Sequence, residues 1–324
     1  MAMDFWEAQR RARKRTTLCL IVFCLLTIGM ACLAEYLMRV FVHQDGYDPP
    51  FPYIAIAFMG ITFCLSFFQY SMFRTQGGSY VAESVGAYRV DPRRASPKEQ
   101  QLLNIVEEMA VAASVPVPAV YILEAPAINA FAAGLTPENA AITVTTGCLA
   151  LLNRDELQGV VAHEFGHIYN ADMTISLRLA AMVMGFFFVL YMAMRLLQIA
   201  SFQGRGDDRK GPNPLMIAAL VLLVAGAFTW FAGSILKCMV SRQREYLADA
   251  CAVQFTRNPN GIANALRKIG GEKTHDMPKT GMAYSHMYFD DASFMSQIFA
   301  THPPLKKRIA AIEGGTYLSE EEKE

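Results

Sequence analysis

Four stretches of this chain exclude charge. Thr17–Ala34 (18 residues), Pro49–Phe73 (25) and Gly211–Leu236 (26) contain no Asp, Glu, Lys, Arg or His. Coiled as helices, each is long enough to cross a hydrocarbon layer of about 30 Å. Leu179–Met194 is shorter at 16 residues, but Arg178 and Arg195 bracket it and can extend their stems to the headgroups. The pattern therefore predicts spanning helices over 16–42, 51–73, 177–198 and 212–237. Any one run also reads as a buried core helix, yet four of them would need a far larger soluble core than 324 residues supply. The first run is too long for a signal-peptide core, and a second follows it promptly.

Between the runs the periodicity is that of soluble elements. Ser96-Pro97-Lys98-Glu99 is a capping box with proline at the first helical position, predicting a helix to about Ala113. VPVPAVYIL reads as entry to a strand, and INAFAAGL and AAITVTTG as two more strands separated by the turn-like TPEN. Asn153-Arg154-Asp155-Glu156 is a second capping box, followed by an apolar face of Leu157, Val160, Val161, Phe165 and Ile168. Neither soluble stretch, 74–176 or 238–324, looks self-sufficient. The expected fold class is a mainly α membrane protein with four transmembrane helices and one discontinuous α+β domain, into which the second membrane hairpin is inserted.

Charge sets the orientation. The formal net charge is zero, from 29 basic and 29 acidic residues, and gives no support to a nucleic-acid partner. Arg10, Arg11, Arg13, Lys14 and Arg15 lie in the basic tail 1–15, whereas the loop HQDGYDPP after the first span has no Lys or Arg. The amino terminus, and with it both soluble stretches, is expected on the cytoplasmic side. The second outer loop fits less well, since it carries Arg205, Arg209 and Lys210. The seven cysteines form no CxxC pair, which argues against a disulfide framework or a cysteine-bound metal.

The chemistry concentrates in VVAHEFGHIYNAD, Val160 to Asp172. On a helix His163 and His167 are about 400° apart, so both imidazoles leave one face a turn apart and can hold one metal ion. Glu164 points about 100° away, placed to act as general base toward a water on that ion rather than as a ligand. An open zinc site needs a third protein ligand. SRQREYLADA, Ser241 to Ala250, offers Glu245, with Asp249 one turn on to orient a ligand histidine. Arg242 and Arg244 read as anchors at the membrane surface after the fourth span.

Through NAFAAG, AITVTTG, DELQGVVAHEFGHIYNAD, SRQREYLADA and THPPLKKRIAAI, in this order, nearly the whole chain resembles the HtpX-type membrane zinc metallopeptidases, gluzincins related to the CaaX prenyl endoproteases. The resemblance implies one Zn2+ ion held by His163, His167 and Glu245, with Glu164 as base and Asp249 behind the ligands. It implies that an edge strand at Asn129, Ala130 and Phe131 binds the substrate backbone, although Asn129 also reads as a turn residue. His302 in the HP segment is then placed near zinc, where it either stabilises the oxyanion or occupies the open coordination position; its plain reading is a cap before a helix begun by Pro303. Arg308 is a weaker candidate for the same neighbourhood. The implied role is stress-related quality control at the bacterial inner membrane, with cleavage of cytoplasmic segments of membrane or misfolded proteins. Self-cleavage or homo-oligomerisation is a further expectation.

Three competing readings are weaker. A CaaX-type processing protease is expected to have more spans around a large chamber. A zinc-stabilised scaffold has no need of a base at Glu164, and structural zinc is usually closed by four ligands rich in cysteine. A transporter would place ionisable groups near the span centres, where these runs have none.

Overall fold

The computed structural model describes residues 5–42, 49–203, 214–271 and 303–314. The chain divides into two compact units. One comprises Met1–Ala12, Met72–Leu177 and Cys238–Glu324, the other Arg13–Ser71 and Arg178–Lys237.

Helices α1 (Phe5–Val42), α2 (Tyr53–Ser84), α6 (Asp172–Gln203) and α7 (Pro214–Thr256) are the long ones. Among the described residues, three helical stretches are long and apolar enough to cross a membrane: Tyr53–Ser84, Asp172–Ser201 and Leu215–Gly233. The hydropathy pattern predicts four; α1 is helical throughout but is not one of these three. In the second unit Ala31, Ala34, Met38, Ala55, Phe58, Val189, Val221 and Ala225 form a buried cluster of mostly small side chains. Glu35, which follows the first apolar run, accepts from the N–H groups of Ile54 and Ala55 at 2.9 and 3.3 Å and pairs with Arg39 at 2.9 Å. It thus satisfies donors at the start of α2 that have no intrahelical acceptor.

The first unit is built on a sheet of β1 (Tyr88–Arg89), β2 (Ala119–Leu123), β3 (Ala130–Ala133) and β4 (Ala141–Thr145) in the order β1-β2-β4-β3. β2 and β4 are parallel, and β3 is antiparallel to β4 at one edge. The two-residue β1 carries no hydrophobic run, and the sequence pattern does not predict it. Helix α3 (Pro97–Ala113) starts at the Ser96 capping box, and a short α4 (Thr146–Leu151) follows β4. Helix α5 (Arg154–Tyr169) starts at the second box, where Asn153 and Glu156 each accept the other's backbone N–H, at 3.0 and 2.8 Å. α8 (Pro259–Gly271) and α9 (Leu305–Gly314) complete the unit.

α5 is the central element, packed against α3, α8 and β3. Its Leu157, Val160, Val161, Phe165 and Ile168 are all buried, each contributing about 1.5–3 kcal/mol through loss of apolar surface to water. The α5–α8 approach is close because Gly159 meets Gly261: a Cβ on Gly159 would lie 2.5 Å from the Ile262 nitrogen, and one on Gly261 2.6 Å from the Asp155 carbonyl oxygen. We expect Gly159→Ala to force the helices apart and lower stability by about 1–3 kcal/mol, read from denaturant unfolding of the detergent-solubilised protein. Unchanged stability would show that this contact can relax.

Candidate metal centre

The helical pitch of α5 places His163 and His167 on one face, with ring centroids 4.9 Å apart and planes at 88°. α7 crosses that face at Gly166, where a Cβ would come within 2.9 Å of the Ala248 Cα. The glycine inside the motif therefore lets α7 approach until Glu245 lies between the imidazoles. Its Oε2 is 3.6 Å from His163 Nε2 and its Oε1 is 3.5 Å from His167 Nε2. One ligand atom from each of the three residues falls within 4.8 Å of the others.

These separations suit a metal better than direct hydrogen bonds. Ligand atoms at the tetrahedral corners of a zinc site are about 3.3 Å apart, from metal–ligand distances near 2.0–2.1 Å. Two imidazole nitrogens and one carboxylate oxygen also form the donor set of an open zinc site. His163, His167 and Glu245 therefore fit a zinc ion on spacing and on chemistry.

Behind the ligands, His163 Nδ1 is 2.9 Å from Asp249 Oδ1. Arg308, fully buried and projecting from α9, donates to both oxygens of Asp249 at 2.8 and 2.7 Å and lies 3.2 Å from Glu245 Oε2. Burial by itself would raise the Asp249 pKa, but the Arg308 guanidinium and the His163 contact bring it down to about 2. The sequence reading ranks Arg308 low, since one arginine on an amphipathic helix looks like a surface charge. Arg244 requires a correction: it is not an exposed anchor but is 4% exposed, 3.4 Å from Asp172 and bonded to the Asp172 carbonyl at 3.0 Å. Nothing in the local pattern separates Arg244 from Arg242.

Glu164 is buried, and the loss of water raises its pKa against the pull of the two histidines. Its carboxylate accepts from the backbone N–H of Ala132 in β3. Thr145 N–H donates to the Asn129 carbonyl at 3.0 Å, so alternation along the antiparallel ladder turns the main-chain groups of Ala130 and Ala132 toward the outer side of β3. Of the expected backbone-binding residues Asn129, Ala130 and Phe131, it is Ala130 that faces outward, joined by Ala132. His302 lies outside the described residues.

The formal charges explain how the cluster tolerates burial. Glu164, Asp172, Glu245 and Asp249 contribute four negative charges and Arg244 and Arg308 two positive ones, leaving two negative charges that a divalent cation would neutralise. Burial alone would lower both imidazole pKa values, but Asp249 and Glu245 hold His163 above its ordinary value, and Asp172 and Glu245 raise His167 to about 10.

The family model described as Peptidase family M48 matches residues 96–316. A protease HtpX homolog of Ligilactobacillus salivarius is 42% identical over 216 residues, covering 66% of this chain and 72% of the relative. One from Caldanaerobacter subterraneus subsp. tengcongensis is 40% identical over 246 residues, covering 74% and 79%. The crystal structure of S. mikatae Ste24p aligns with a TM-score of 0.48 at 16% identity, over 92% of this chain and 66% of that one.

Two outcomes test the charge balance. Because the neighbouring carboxylates raise both histidine pKa values, zinc binding should release protons, and affinity should fall as pH falls. Calorimetry in buffers of different ionisation enthalpy measures the release; none would mean neutral histidines. Arg308→Met should leave Asp249 uncompensated and cost about 3–5 kcal/mol, read from unfolding of the metal-free protein.

Proposed function

The chain belongs to peptidase family M48 and is a membrane metallopeptidase of the HtpX-like kind, and we propose that it is a zinc endopeptidase cleaving cytoplasmic segments of membrane or misfolded proteins in quality control at the bacterial inner membrane. The observation that carries this reading is the convergence of His163, His167 and Glu245 with the buried Glu164 beside them.

A zinc ion held there would supply Lewis acidity, making a water nucleophilic near neutral pH and polarising the scissile carbonyl. Glu164 takes the proton of the attacking water and passes it to the leaving amine. Its raised pKa brings it closer to the operating pH, as a base that must also serve as an acid requires. The Ala132 N–H holds the carboxylate in place during both transfers. A substrate segment would add as a strand along the outer side of β3, meeting the main-chain groups of Ala130 and the carbonyl of Ala132. That mode reads backbone rather than side chains and so favours extended, unfolded segments. Orientation toward the cytoplasm, and α1 as a fourth span, are supported by the basic tail preceding the first apolar run.

Glu164→Gln should keep zinc and abolish proteolysis, since the amide preserves shape and loses the proton acceptor. Glu245→Ala should lose zinc affinity. Metal content and cleavage of a model membrane protein, or self-cleavage in detergent, are to be measured together. Full activity in Glu164→Gln would remove the proposed base, and undiminished zinc affinity in Glu245→Ala would remove that ligand.

A further inference from the structure

The Nδ1 atoms of the two histidines have different supports. His163 is backed by Asp249, which Arg308 holds by two hydrogen bonds. His167 has Asp172, whose Oδ2 lies 3.5 Å from Nδ1. Asp172 is the first residue of α6 and is buried, and among the described residues its Oδ2 has no hydrogen-bond partner. Its other oxygen lies 3.4 Å from Arg244 Nε, and its carbonyl accepts from Arg244 Nη1 at 3.0 Å. Arg244 directly precedes Glu245. One turn of α7 thus supplies a carboxylate on the metal side of His167 and a clamp for the carboxylate on its far side.

The backbone that delivers Asp172 is unusual. Ala171 has φ 56°, a left-handed conformation that an alanine rarely adopts and that persists only where the surroundings over-determine it. Asn170 supplies part of that determination, its side-chain amide donating to the Gly166 carbonyl at 2.7 Å. Ala171 lies between the Asn170 cap of α5 and the start of α6 at Asp172, whose carboxylate comes within 3.5 Å of His167 Nδ1.

We propose that Asp172 is a positioning residue for His167, accepting at Nδ1 so that Nε2 is presented to the metal, and that Arg244 fixes Asp172 for this task. A merely structural alternative exists: an aspartate in the first turn of a helix interacts favourably with that helix's own N–H groups. That role would leave metal affinity untouched. The proposal rests on the zinc-peptidase reading but concerns metal binding, so it is testable without turnover.

The test uses full-length protein in detergent carrying Glu164→Gln to prevent self-cleavage, with zinc affinity read by chelator competition and folding by thermal unfolding. Asp172→Asn should weaken zinc binding by about tenfold or more, within the range for loss of a carboxylate behind a ligand histidine. Arg244→Gln should weaken it too, and should add nothing in the Asp172→Asn background, because the arginine acts through the aspartate. Wild-type zinc affinity in folded Asp172→Asn, with only its melting temperature lowered, overturns the proposal; multiplying losses in the double variant overturn the part assigned to Arg244. If Asp172→Asn does not fold, Arg244→Lys decides, since lysine keeps the charge but cannot hold the Asp172 side chain and carbonyl together: weaker zinc binding supports the proposal and unchanged binding overturns it. Failure of the parent protein to bind zinc would instead sink the zinc reading itself.

Discussion

Arg308 grips Asp249 with two hydrogen bonds, and the geometry around the histidines depends on that contact. A guanidinium with no exposed surface is costly to take out of water, and pairing with carboxylates offsets the cost only when the fit is close. Here the fit is supplied by packing at a distance from the charges. Leu305 and Ile309 of α9 pack against the main apolar core, and Ile312 is part of it. The core thus holds α9, α9 holds Arg308, and Arg308 holds the carboxylate that orients His163. Charge placement here is a consequence of apolar packing.

Glycine at the helix contacts makes the remaining geometry possible. Gly159 brings α8 against α5, and Gly166 brings α7 close enough for a side chain as short as glutamate to reach between two imidazoles. The same closeness excludes water, which strengthens each ion pair and raises the pKa of Glu164. A more open arrangement of the same residues would leave the carboxylates solvated and remove the burial that raises the Glu164 pKa.

The order of segments along the chain links this chemistry to the bilayer. Asp172 opens α6, whose apolar stretch extends to Ser201, and Glu245 follows the apolar part of α7 that ends at Gly233. The metal-binding residues are therefore few in sequence from apolar helix on both sides. The candidate ligands on α5 and α7 are thus separated in sequence by two apolar helical stretches, so the set is complete only once the chain has folded.

What the sequence determined by itself is local. A four-residue spacing puts two histidines on one helical face whatever the fold, capping boxes mark where α3 and α5 begin, and three of the four charge-free runs correspond to helices long and apolar enough to cross a membrane. Asp249 is legible for the same reason, one turn beyond Glu245. Tertiary structure alone decided which charges meet. Arg308 and Asp249 are 59 residues apart, Arg244 and Asp172 are 72, and Arg308 and His163 are 145. On its own helix each arginine has the pattern of a solvated cation, because periodicity reports which face a residue occupies and carries no information about what packs against that face. β1 was hidden likewise, since its two residues gain strand geometry only from pairing with β2. The partner of a buried charge is chosen by the low-dielectric space that packing encloses, and that space exists only after the chain has folded.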